Sequence, residues 1–220
     1  MSTNRKKSRL LGIAFLPQFI TSFVSGMFIF DSLIVSGNIT ESMANISNNI
    51  LKMRIGILLE IITAIGVVFL GAILFITLRK QSEKIALTAF GLYILEAGLS
   101  GVKALGAFSL MNISKEYALS SSSYLLTLGK TANEFFDFAM LLLLLTFCFG
   151  GFLFYYLLFK SKVIPRALSL WGLITIIPIL IGVLLAFFGL QVPFYLYLPY
   201  LPFEFVVGVW IIITGINEEM

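Results

Sequence analysis

The chain of 220 residues contains no histidine, one cysteine and few charged residues, 12% of the total. Without histidine there is no His-ligated haem, no His-based zinc site and no His-dependent catalytic triad. The one cysteine, Cys148 in "LLTFCFGGF", cannot close an internal disulfide and reads as a packing residue. A phosphate-binding loop and a Gly-x-Ser-x-Gly elbow are also missing, so ATP hydrolysis and serine-hydrolase chemistry have no visible machinery. No cofactor is implied. A soluble domain carries about 25% charged residues, and half that fraction already points away from water.

What is there instead is apolar: 59% of residues are hydrophobic, 22 of them Phe. Uninterrupted apolar runs of about 20 residues recur, the length needed to cross about 30 Å of hydrocarbon as a helix. The pattern predicts an all-α, polytopic membrane bundle in a single domain over 1–220, with six transmembrane helices. These cover about 9–35, 53–78, 85–111, 123–159, 167–190 and 202–217. The N-terminal "RKKSRLLGIAFLPQFITSFVSG" has a signal peptide's basic and apolar regions, but the apolar part runs long and no small-x-small site follows. It reads as a retained first helix.

The pI of 9.2 does not imply nucleic acid, because the basic residues lie in short loops where membrane topology explains them. Arg5, Lys6, Lys7, Arg9, Arg79, Lys80, Lys84, Lys160, Lys162 and Arg166 fall on one side, against Lys52, Arg54 and Lys115 on the other. That imbalance puts both termini in the cytoplasm. The sequons at Asn38, Asn45 and Asn112 fall in expected outer loops, where Asn and Ser gather for turn chemistry alone. In "VIPRALSLWGL", Pro165 separates helices 4 and 5 while Arg166 and Trp171 mark an interface. Tyr195, Tyr197 and Tyr200 among three prolines suggest a stiff segment along the membrane surface.

A repeat is visible in outline. Odd helices start with Arg9, Lys84 and Arg166, and even helices carry Glu60, Glu134 and Glu204 near their outer ends. Three pseudo-repeated hairpins would produce this spacing; so would chance among helices that all look alike.

Ionisable residues inside spans are costly, at least about 2.5 kcal/mol at a helix centre, so each demands a reason. Counting from the cytoplasmic boundary puts Glu96 and Glu204 about 18–20 Å up, Glu60 and Lys103 about 28 Å, and Asp137 about 34 Å. Helix 4 is too long for one span, and its outer part carries Lys130, Glu134 and Asp137 on one face. Glu60, Glu96, Glu134, Asp137 and Glu204 outnumber Arg54, Lys103 and Lys130 by two. Some carboxyls hold protons, a cation binds, or water enters from outside. By depth, Lys103 is expected to pair with Glu60, and Glu96 to lie near Glu204.

The segment "FYYLLFKSKVIPRALSLWGL", residues 154–173, resembles an uncharacterised family of bacterial integral-membrane proteins with a domain of unknown function. Its pattern, Y-Y-L-L-x-x-S-K-x-x-P-R-x-L-S-x-W-G, is matched by Tyr155, Tyr156, Ser161, Lys162, Pro165, Arg166, Leu168, Ser169, Trp171 and Gly172. The basic start before "LLGIAFL", "LLEIITA" around Glu60, the acid Glu96 in helix 3, and Glu204 before Trp210 match as well. One departure is Gly91, where family members often place an Arg five residues before the helix 3 acid. The resemblance implies six helices in a bacterial plasma membrane and no particular activity.

Three readings of function follow. The first is a small permease or solute-binding membrane protein, with Glu60, Glu96, Lys103, Glu134, Asp137 and Glu204 as the residues that bind a cation, a proton or a small solute. A homo-oligomer would suit its small size, and the lipid bilayer is its other partner. The second is a structural or regulatory membrane protein, its buried charges serving as interhelical contacts worth about 0.6 kcal/mol each. The third, an intramembrane enzyme using carboxylates with Ser or Tyr, has the least support.

Overall fold

A computed structural model describes residues 3–216, and all the regular structure among them is helical. Helix α1, Thr3–Phe23, runs on through a π-helical stretch, Val24–Phe30, and a last turn, Asp31–Leu33. The others are α2, Ile39–Asn48; α3, Ile50–Leu78; α4, Glu83–Ser120; α5, Ser123–Ser161; α6, Arg166–Phe187; and α7, Phe203–Thr214. A single 3₁₀ turn, Phe194–Leu196, lies between α6 and α7.

Five helical segments are long and apolar enough to cross a membrane: Arg9–Leu33, Ile50–Leu78, Glu83–Ser120, Ser123–Ser161 and Arg166–Phe187. The expected sixth span is the 12-residue α7, about 18 Å long at the α-helical rise. That is shorter than the hydrocarbon it would have to cross. Position 217 of the expected helix lies outside the described residues.

Two expected loops are helical. α2 occupies most of the first one. Asn38 caps it: the Asn38 side-chain oxygen accepts from the Glu41 backbone N–H at 3.1 Å, while Asn38 Nδ2 donates to Glu41 Oε2 at 2.8 Å. Its buried positions Ser42, Met43 and Ile46 share one face, a period too short to stand out in a Ser/Asn-rich segment. α4 runs past its expected end at 111 to Ser120, because "SKEYALS" has helix-forming composition and no breaker. Ser121, in the left-handed region at φ 50°, ends it. The Asn112 sequon therefore lies within a helix.

The described residues cluster in two compact units. The first draws on Met1–Phe19, Ile65–Ala97 and Leu141–Met220, the second on Ile20–Ala64 and Gly98–Met140. The first unit packs Phe15, Leu74, Tyr93, Phe154, Tyr155 and Phe203, all almost fully buried. Here α1 and α7 meet backbone to backbone: a Cβ on Gly12 would fall 2.7 Å from the Gly208 carbonyl oxygen. Small residues permit this close approach, which is a main source of helix association in lipid. The second unit is centred on Phe30, Leu33, Met43, Ile46, Met53 and Met111, with Gly56 making room for Ile29. Both units expose large apolar side chains, among them Ile65, Ile76 and Ile174 in the first and Leu58 and Phe108 in the second. Such surfaces suit hydrocarbon.

Candidate functional sites

The second unit holds an ion pair. Lys103, on α4, reaches Glu60, on α3, with Nζ 3.0 Å from Oε2, and the two residues are 5% and 3% exposed. Hydroxyls complete the carboxylate's shell: Ser25 donates to Oε2 at 3.3 Å and Ser100 to Oε1 at 3.2 Å. The ammonium also lies 5.2 Å from the Phe30 ring centroid and 5.3 Å from that of Phe136, so ring faces take the place of missing oxygens. A charge pair in this environment is held together because every charge has a partner.

Glu134 and Asp137 do not join it. Both are exposed, and Glu134 forms a loose i,i+4 pair with Lys130 at 3.9 Å, their side chains 64% and 68% exposed. Asp137 accepts from Asn133 Nδ2 at 2.9 Å and, with Asp31, lines a cavity of about 220 Å³. The grouping of all these acids in one buried cluster thus fails for two of them. They occupy exposed positions in the first half of α5.

The first unit holds a different arrangement. Glu204, in the first turn of α7, is 7% exposed and accepts from Gln18 Nε2 at 2.8 Å and from the Tyr200 hydroxyl at 2.7 Å. Tyr200 spends its one proton on Glu204, so the 2.5 Å contact between its oxygen and Tyr155 requires Tyr155 to donate. The result is a chain from Tyr155 through Tyr200 to Glu204. Phe203, Phe147 and Trp171 pack around it edge-on, and Trp171 Nε1 donates to the Pro199 carbonyl at 3.0 Å, fixing the preceding turn.

Glu96 lies near enough to Glu204 to feel its charge. It too is 7% exposed, but it has no ion pair or hydrogen bond among the described residues, and its Oε2 is wholly buried. One turn earlier on the same helix, the Tyr93 hydroxyl is buried beside that of Tyr155 without a well-formed hydrogen bond. Gly71 and Gly150 make the room for the Tyr93 ring, since a Cβ on either would fall 2.9–3.2 Å from it. Buried polar atoms without partners are rare in folded proteins, so each calls for an explanation.

Four residues of this site escaped the sequence reading in that role: Gln18, Tyr93, Tyr155 and Tyr200. Tyr93 is three residues before Glu96 and Tyr200 four before Glu204, a helical spacing that could have flagged both. Tyr200, read as part of a surface segment, turns its hydroxyl inward. Gln18 and Tyr155 lie far from either acid in sequence and gave no signal.

Long apolar helices, one internally paired charge site and one unpaired acidic site define the class: an all-helical, membrane-embedded protein. The chain belongs to the family described as Domain of unknown function (DUF4386), which matches residues 10–215. No curated protein and no solved structure matches it.

Proposed function

We propose that this is a multi-pass protein of a bacterial plasma membrane in which Glu96 and Glu204 form a site for positive charge: a proton, a cation or a small cationic solute. The observation that carries this reading is the Glu96 carboxyl, buried with an oxygen that nothing satisfies. A carboxyl retained in that state without a ligand costs stability and returns nothing. Tyr93 offers a second buried oxygen one turn away. Glu204, oriented by Gln18 and Tyr200, supplies a second negative group already fixed in place.

The other reading, a structural or regulatory protein, draws its support from Glu60 and Lys103. Their network is complete without a ligand, as interhelical contacts should be. We assign the paired site to architecture and the unpaired site to binding. In this reading six apolar segments cross or enter the bilayer, with α7 as the shortest and both termini cytoplasmic. The three-hairpin pattern is part of the proposal with one difference: Glu60 and Glu204 are buried, whereas Glu134 is exposed.

The test is a pH-jump and cation-gradient flux assay in proteoliposomes, comparing the wild type with Glu96→Gln. Flux in the wild type and its loss in the variant are expected. No flux above empty liposomes under any gradient, together with no cation binding by the purified protein, would leave only the structural reading.

A further inference from the structure

A separate cavity of about 520 Å³ lies in the first unit, between the α5–α6 turn and the end of α7. Its apolar walls include Ile164, Trp210 and Ile216, and Lys162 and Arg166 line it as cations. Neither cation has a carboxylate partner among the described residues. Arg166 instead lies 5.4 Å from the Phe159 ring centroid. The backbone holds this arrangement. Lys162 adopts φ 58°, which stops α5, and the Ser161 hydroxyl oxygen accepts from the Val163 N–H at 3.3 Å. Pro165 then starts α6 without a side-chain cap, so the positive end of that helix faces the same turn.

The position of the turn in a membrane is fixed by its neighbours. α5 and α6 are both long enough to span, and only 162–165 join them, so the turn lies at a membrane face. Two cations and a helix N-terminus lining a cavity with apolar walls at that level match one chemistry: a phosphate headgroup with its acyl chain. We propose that this cavity is a binding site for an anionic phospholipid, with Lys162 and Arg166 on the phosphate and the Trp210 side on the chain. The site is independent of Glu96 and Glu204, and stands whether or not they bind anything.

The experiment is native mass spectrometry of the detergent-purified protein titrated with phosphatidylglycerol or phosphatidylcholine. The wild type is expected to retain one phosphatidylglycerol in preference to phosphatidylcholine. The double variant Lys162→Asn/Arg166→Gln should weaken that retention about thirtyfold, from two lost charges near the headgroup. Asn is chosen because it tolerates the left-handed backbone. The control Arg79→Gln/Lys80→Gln, at the turn between α3 and α4, should retain lipid like the wild type. Equal loss in the control would mean diffuse surface charge and overturn the proposal. Displacement of the lipid by millimolar inorganic phosphate would make this a free-phosphate site and overturn it too. The chain's own Glu218 and Glu219 are a third candidate: binding that appears only after both are changed to Gln would also overturn it.

Discussion

Each unit of this protein buries carboxylate, and they treat it in opposite ways. In the second unit Glu60 has an ammonium and two hydroxyls, and the ammonium has two aromatic rings. In the first unit Glu204 has neutral donors only, and Glu96 has none. A carboxylate with a full shell is part of the framework: remove any member and the rest is left exposed to a low dielectric. A carboxyl without one is a poor framework element, because its neighbours gain nothing from its charge. The difference separates a carboxylate tied into a helix–helix network from a carboxyl that no such network holds.

Three substitutions test that separation, and the largest effect belongs to the paired site. Lys103→Met leaves Glu60 buried and uncompensated, and is expected to cost about 3–5 kcal/mol. Denaturant titration in mixed micelles would read it. A cost below about 1 kcal/mol would dissolve the contrast, since the pair would then not be holding the fold. Glu96→Gln exchanges one buried, unpartnered polar group for another, so stability should stay within about 1 kcal/mol of the wild type while any flux disappears. A loss as large as that of Lys103→Met would make Glu96 a framework residue. The smallest effect is expected at the exposed pair on α5. Lys130→Ala should change stability by no more than about 0.5 kcal/mol, further reduced by salt.

The fold was legible where physics acts locally. Apolar runs too long for a soluble domain located four of the five candidate spans to within a few residues, and Pro165 marked the α5–α6 turn. The Lys103–Glu60 contact could be anticipated because two opposite charges at one depth in hydrocarbon have few other partners. The errors have a common cause. α2 and the last turns of α4 lie outside the strongly apolar windows, where capping and composition decide the structure and hydropathy is silent. Glu134 and Asp137 were grouped with the buried acids because charge was counted by depth along a helix, whereas exposure depends on which face a neighbouring helix covers. Tyr93, Tyr155, Tyr200 and Gln18 were invisible as a set because their convergence spans 186 residues between Gln18 and Glu204.

By itself, then, the sequence determined that this chain is built of apolar helices long enough to sit in a membrane. A backbone without water must bond to itself, so apolar runs of this length have to be helices. Only the tertiary structure decided which of the buried charges are satisfied. That outcome depends on the rotation of each helix and on glycines such as Gly71 and Gly150, which let Tyr93 lie where it does. Local sequence sets a helix, but a partner's position within 3 Å is set by everything packed around it.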